Sequence, residues 1–215
     1  MSNAQIFADL TQWVLSLATS YWVLVPIFVM PLIDGFFPPI PSESILISLG
    51  ALSAAGHAVP LWSIFLVGAL GALCGDIIAY EAGRRLPIAR WKFFSQGVGK
   101  RAYERAAHAL HKRGTLYIFS ARFIPVGRVA VNVAAGTTGF PRGRFLRTDA
   151  IAVIAWAAYS VSMGFGAGAV LHKNPILAVV VGVCGGVLMG MVLDKLVTWF
   201  LERRQEKTPE NQQNQ

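Results

Sequence analysis

The chain has 215 residues, of which 54% are hydrophobic and only 14% charged, and it carries a formal net charge of +8. Soluble domains devote about a quarter of their residues to Asp, Glu, Lys and Arg, so this composition excludes an ordinary soluble globular protein and points to the membrane. The positive balance does not imply a nucleic-acid partner, because the basic residues cluster between apolar runs, as they do in the cytoplasmic loops of membrane proteins.

A spanning helix needs about 20 mostly apolar residues, and Trp13 to Ile33 is the first run of that length. No basic residue precedes it and no small-x-small cleavage site follows closely, so a retained helix is expected rather than a secretory signal. Leu61 to Gly83, Ala150 to Leu171 and Pro175 to Val197 complete about four expected spans. The two cysteines, Cys74 and Cys184, sit in the middle of apolar sequence and are read as packing residues, with no metal expected.

Nine basic residues fall between Arg84 and Arg113 against a single acid, Glu104. Arg142, Arg144 and Arg147 fill the next polar loop, and Arg203, Arg204 and Lys207 open the tail, whereas Lys173 is the one basic residue in the opposite loop. The positive-inside rule therefore places residues 84–113, both termini and the polar tail 201–215 in the cytoplasm. Trp91, Phe93, Phe94 and Tyr103 interleave with the basic residues of 84–113, which suits either an amphipathic segment on an anionic leaflet or an ordinary basic loop. The rest, 1–200, reads as a single integral membrane domain.

That orientation leaves Asp34 to Pro60 with both ends on the outer side. Its sequence, DGFFPPIPSESILISLGALSAAGHAVP, is largely apolar yet broken by Pro38, Pro39 and Pro41 and by glycines. The stretch FSARFIPVGRVAVNVAAGTTGF, residues 119–140, has both ends on the inner side. Each is expected to enter the membrane and return as a re-entrant hairpin, with Pro41 breaking the first and Pro125, Gly127 and Gly136 the second. Non-helical backbone at membrane depth is tolerated only where protein buries it or water lines it, so two hairpins imply a cavity.

The halves also repeat weakly: an Ile-Pro start (Ile40-Pro41, Ile124-Pro125), a small-residue exit (Ala54-Ala55-Gly56, Ala134-Ala135-Gly136), a second proline (Pro60, Pro141), then a spanning helix. Broken segments at corresponding positions of two oppositely oriented halves point to a transporter with its site near the midplane. The expected fold is thus an all-α polytopic membrane protein, an inverted repeat with two oppositely oriented re-entrant hairpins plus about four spanning helices.

Inside the apolar regions lie Asp34, Glu43, Asp76, Glu81, Arg122, Arg128 and Asp194. Glu81 and Asp194 are close to helix ends, where snorkelling explains them. A buried charge costs several kcal/mol unless paired. Asp34, Glu43 and Asp76 could simply neutralise Arg122 and Arg128 to fix the fold. On the functional reading, the planar guanidinium of Arg122 and Arg128 matches a phosphate in a bidentate way while Glu43, Asp34 or Asp76 exchanges a proton. Pro125 and Gly127 would free N–H groups for the same anion at a half-helix start, and Ser42 is a candidate N-cap for a helix beginning near Pro41.

The segments PPIPSESIL, GALCGDIIAYEAGRR and above all FSARFIPVGRVAVNVAAG resemble the signature regions of the DedA family, bacterial relatives of the VTT-domain lipid scramblases. The resemblance runs from about Asp34 to about Gly168. It implies a protein of the bacterial inner membrane with two opposed re-entrant hairpins, moving undecaprenyl phosphate or a phospholipid between leaflets, in some members coupled to the proton gradient. The family's two arginines match Arg122 and Arg128, and its two first-half acids match Glu43 and Asp34. The chain departs from the common pattern in having P-S-E where P-G-D is usual and a shorter gap between Asp34 and Glu43.

The expected activity is lipid transport rather than catalysis, with undecaprenyl phosphate ahead of phosphatidylethanolamine as substrate. A cation or proton exchanger is one alternative, and an intramembrane lipid phosphatase another. A phosphatase needs a nucleophile with an acid or base beside the arginines. His57, His108, His111 and His172 fall in loops or the basic linker, and none shares a motif with a serine or cysteine. No cofactor is expected. The small residues between Gly182 and Gly190 could make a close helix contact, within the chain or in a homo-oligomer.

Overall fold

The computed structural model describes residues 16–37, 40–86, 97–122 and 124–171, with further positions at 12, 177, 179–181 and 183–185. Regular structure among these residues is entirely helical. A 3-10 turn, Tyr21–Val23, leads into α1 (Leu24–Asp34), followed by α2 (Ser42–Ala54), α3 (Leu61–Arg85), α4 (Gly97–Ala121), α5 (Pro125–Thr137) and α6 (Arg142–Val170).

Only α3 and α6 are long and apolar enough, among the described residues, to cross a membrane. Both start directly after a proline, Pro60 and Pro141, whose fixed φ and missing N–H suit a helix start. Arg84 and Arg85 close α3, where cations complement the carbonyl end of the helix dipole.

The first expected span is corrected. Ser20 bends the chain, its Oγ accepting from the Trp22 amide at 3.4 Å, and the 3-10 turn follows, so helix does not run unbroken from Trp13 to Ile33. Val59 N donates to Ala18 O at 3.1 Å, fixing the segment before the bend against the turn that precedes α3. The fourth expected span, Pro175 to Val197, and the tail 201–215 lie largely or wholly outside the described residues, as do Trp91, Phe93 and Phe94 of the basic linker. The second half of that linker is the start of α4. Its apolar residues Ala106 and Leu110 are buried together with Tyr80, Val131 and Phe145, so protein covers that face of the helix.

The two short helices match each other closely. Both α2 and α5 have 13 residues, and both end with a glycine at positive φ, Gly56 at 76° and Gly139 at 70°. In each, the next amide reaches back five residues, His57 N to Leu52 O at 2.8 Å and Phe140 N to Ala135 O at 2.9 Å. This is the Schellman arrangement, which needs a left-handed residue that only glycine adopts cheaply.

In turn geometry Gly56 therefore matches Gly139, not Gly136. Gly136 does not break the second segment: it is helical, and a Cβ there would collide with the Tyr80 carbonyl oxygen. Gly127 is helical too, in the first turn of α5. Pro41 and Pro125, by contrast, do mark helix starts, Pro41 as the residue before α2 and Pro125 as the first residue of α5. Pro41 occupies the N-cap position expected for Ser42, and no side chain caps either helix.

Packing exchanges the short helices between the halves. α2 lies along α6, and α5 along α3 and α4. Gly164 and Gly168 of α6 meet the carbonyls of Ile47 and Ala51 of α2, while Gly83 of α3 meets that of Val133 of α5. Lipid tails are as apolar as leucine, so helices in a bilayer gain little from burial and rely on such close backbone approach. One apolar cluster joins α1, α2, α3 and α6 through Ile27, Leu46, Ile64 and Val161. A second joins α3, α4, α5 and α6 through Tyr80, Leu110, Val131 and Phe145.

Candidate functional site

The charged residues gather between these clusters. In α3, Asp76 lies between Ala72 of the first cluster and Tyr80 of the second, and in α6 Asp149 lies between Phe145 of the second and Val153 of the first. The rings of Tyr80 and Phe145 stack with centroids 4.5 Å apart, and Tyr80 Oη donates to Phe140 O at 2.7 Å. Residues four apart share a helix face. The stack therefore brings Asp76 and Asp149, each one turn away, to the same region.

Arg122 occupies the turn between α4 and α5, and Arg128 the first turns of α5, which Pro125 starts. Arg122 Nη1 pairs with Asp76 Oδ2 and lies 3.5 Å from Asp149 Oδ1. Its guanidinium also sits over the Trp156 ring, 5.2 Å from the centroid, a cation–π contact worth about 2 kcal/mol when desolvated. Arg128 Nη2 lies 2.9 Å from Asp34 Oδ1 and donates to Asp34 O at 2.7 Å, and its Nε is 3.9 Å from Asp76 Oδ1. Asn132, one turn beyond Arg128, donates from Nδ2 to Asp76 Oδ1 at 2.7 Å, and Ser42 Oγ donates to Asp34 Oδ2.

All of these side chains are buried: Asp76 is 0% exposed, Arg122 4% and Arg128 6%. Such a network survives only if each charge has a partner, because losing one leaves the other buried and uncompensated. Satisfaction is nonetheless incomplete. Among the described residues, Arg122 Nε and Nη2 and Arg128 Nε are buried without a hydrogen-bond acceptor. Native structures leave few such atoms, and strain, a functional role or a bound water or ion accounts for those that occur.

Of the residues singled out in the sequence, Arg122, Arg128, Asp34 and Asp76 come together. Glu43 is half-buried in the first turn of α2 and joins no ion pair among the described residues, although its charge reaches Asp34 and Arg128. Glu81 stands apart, 3.0 Å from Arg85 Nε and 3.4 Å from Arg142 Nε, tying the end of α3 to the start of α6. Asp149, Asn132 and Trp156 escaped the sequence reading, and Ser42 was assigned a different role. The signal for Asp149 was available: an acid about two turns into a helix beginning after Pro141 is no longer in the loop.

A VTT domain family model matches residues 40–166, more than half of the chain. The chain belongs to the VTT-domain, or DedA, family. It is similar to the inner membrane protein YabI of Escherichia coli, at 30% identity over 61% of this chain and 52% of that protein. An uncharacterized membrane protein of Mycobacterium tuberculosis, Rv0364, is 35% identical over 64% of this chain and 63% of its own length. The inner membrane protein YohD of Escherichia coli is 27% identical over 76% of this chain and 85% of its own. The chain thus spans between half and two thirds of YabI and Rv0364. No solved structure matches it. Family membership and two apolar helices of spanning length together make this VTT-domain chain a membrane protein.

Proposed function

We propose that this VTT-domain protein moves a phosphate-bearing lipid across the bacterial inner membrane, undecaprenyl phosphate first among the candidates. The observation that carries the reading is the pair of buried guanidiniums, Arg122 and Arg128, three of whose nitrogens have no hydrogen-bond acceptor among the described residues. A phosphate crossing a bilayer must exchange its water for donors of equal strength. Arginine supplies those donors in a fixed fork. α5 starts between the two arginines in the chain, and the free amides of a helix start favour negative charge.

The inverted repeat belongs to this reading. The equal length of α2 and α5, their matching glycine turns and their exchange between α6 and α3 support two hairpins that enter from opposite sides. In that topology the termini are cytoplasmic, and the basic stretch 84–113 faces the anionic inner leaflet. An anionic monophosphate fits two arginines better than a zwitterionic head group, which ranks undecaprenyl phosphate above phosphatidylethanolamine.

A second reading, ion exchange, draws on the excess of carboxylates: Asp34, Asp76 and Asp149 face only two arginines. The name of one similar protein, an alkaline phosphatase-like protein of Lactococcus lactis, raises lipid hydrolysis as a third.

Purified protein in liposomes separates these readings. Transbilayer movement of a labelled polyprenyl phosphate is recorded beside a phosphatidylethanolamine reporter, with phosphate release and proton flux followed in the same vesicles. Movement of the polyprenyl phosphate that the Arg122→Ala/Arg128→Ala protein loses supports the proposal. Proton flux without lipid movement would transfer the assignment to ion exchange, and phosphate release would transfer it to hydrolysis.

A further inference from the structure

Arg122 is held at two points and left free at a third. Its Nη1 faces two acids: Asp76 Oδ2 pairs with that nitrogen and Asp149 Oδ1 lies 3.5 Å from it, the two carboxyls being hydrogen-bonded to each other. Its Cζ lies over the Trp156 ring, 5.2 Å from the centroid, a contact that uses no N–H donor. The nitrogens left without an acceptor among the described residues are Nε and Nη2. In arginine Nη2 is the terminal nitrogen on the same side as the Nε hydrogen, so these two present parallel N–H groups along one edge of the plane. That edge is a complete side-on fork. Arg128 offers less, since its Nη2 serves the main-chain and carboxylate oxygens of Asp34 and its Nε is 3.9 Å from Asp76 Oδ1.

We propose that Trp156 is a positioning residue of the phosphate site, holding the Arg122 guanidinium so that its Nε–Nη2 edge takes two oxygens of one phosphoryl group side-on. This inference rests on the phosphate-binding role of Arg122 proposed above. The head group adds to the Asp76 contact instead of replacing it, because it uses nitrogens that no acid occupies. A hydrogen bond between the carboxyls of Asp76 and Asp149 needs a proton on one of them. The three acids of the cluster then carry two charges against two guanidiniums, and the arriving anion meets no net negative charge.

The register of α6 explains the hold. Asp149 and Trp156 are about two helical turns apart and so return to one face, which meets Arg122 at both residues. Trp156 is buried and packs in the first apolar cluster, so its ring is fixed where it stands. A cation over an aromatic ring keeps its N–H groups for other partners while losing freedom to turn. A fork fixed before the phosphate arrives loses less entropy on binding. Trp attracts a cation more strongly than Phe, and Leu offers only apolar contact. Arg122 is itself buried, so the head group reaches the edge only when the neighbouring helices part.

The test uses the full chain in nanodiscs of zwitterionic lipid, with dodecyl phosphate as probe, comparing wild type with Trp156→Phe and Trp156→Leu. Two quantities are read: the affinity, and the proton NMR shift of the Arg122 Nε–H group at saturating probe, assigned through its own backbone. In wild type that signal should move downfield as the hydrogen bond to a phosphate oxygen forms. Affinity should fall in the order Trp, Phe, Leu, with a loss of about tenfold in Trp156→Leu. The saturated shift should shrink in the same order, because the fork is held less firmly. A packing role alone would lower affinity and leave the saturated shift unchanged, and that result would overturn the inference. Wild-type affinity in Trp156→Leu would do the same. An unmoved Nε–H signal in wild type at saturation would overturn it even if neither variant folded, and would leave phosphate binding intact. Failure of the probe to bind wild type would overturn the phosphate reading and this inference with it.

Discussion

Arg128 grips Asp34 twice, through the carboxylate at 2.9 Å and through the main-chain oxygen at 2.7 Å, joining positions 94 residues apart in the chain. The second contact has a consequence for mutagenesis. Asp34→Asn removes one charge yet keeps the main-chain acceptor and an amide oxygen, so it should cost less than Arg128→Ala, which strands the Asp34 carboxylate. Loss of a partner from a buried pair costs about 3–5 kcal/mol. Thermal unfolding in detergent should show Arg128→Ala lowered by several degrees more than Asp34→Asn, and the reverse order would contradict the geometry.

Asp76 and Arg122 should behave as a coupled pair. Each single alanine variant leaves a buried charge exposed to apolar surroundings, whereas the double variant removes both charges. The two destabilisations therefore cannot add: the double variant should be more stable than their sum by about 1–3 kcal/mol. Additive losses would mean that the pair does not form in the bilayer.

Glycine substitutions probe the exchange of short helices. Gly164→Val places side-chain atoms where the Ile47 carbonyl stands, and should abolish accumulation of folded protein. Gly166, two residues on, has open space around its Cβ position, so Gly166→Ala should be neutral or stabilising by up to about 1 kcal/mol from helix propensity. Equal effects of the two changes in a membrane expression assay would refute close contact between α2 and α6.

The matched turns predict sidedness. His57 follows the glycine turn of α2, and Arg144 is exposed just after that of α5. In a background with Cys74 and Cys184 replaced by serine, His57→Cys should react with a membrane-impermeant thiol reagent from the outer side only. Arg144→Cys should react from the inner side only. Labelling of both from the same side would remove the inverted topology.

Much of the site could be read from sequence because ionisable residues in apolar surroundings are conspicuous. Arg122, Arg128, Asp34 and Asp76 all met that description, and all four converge. Asp149 did not, because RGRFLRTDA reads as a polar loop until α6 is seen to start at Arg142. Asn132 and Trp156 are uncharged and have no linear signal, their roles being set by which face of α5 and α6 meets Arg122 and Asp76. The likeness of α2 to α5 was legible only approximately. Ile-Pro dipeptides and small-residue runs drew Gly136 into correspondence with Gly56, whereas the glycine that shares its positive φ is Gly139, three residues later. The bend at Ser20 left no mark in hydropathy, since it arises from a side-chain hydrogen bond inside an apolar run.

On the proposed function, Arg122 and Arg128 take the place of water around a phosphate. The most direct measurement is the rate of polyprenyl phosphate movement in liposomes by Arg122→Lys and Arg128→Lys, each compared with wild type at matched amounts of folded protein. Lysine preserves the charge and loses the planar fork. The rate should fall at least about tenfold in Arg122→Lys, the equivalent of about 1.4 kcal/mol, in line with the loss of one charge-assisted hydrogen bond. Wild-type rates in both variants would contradict it and leave the arginines as counter-ions of the fold.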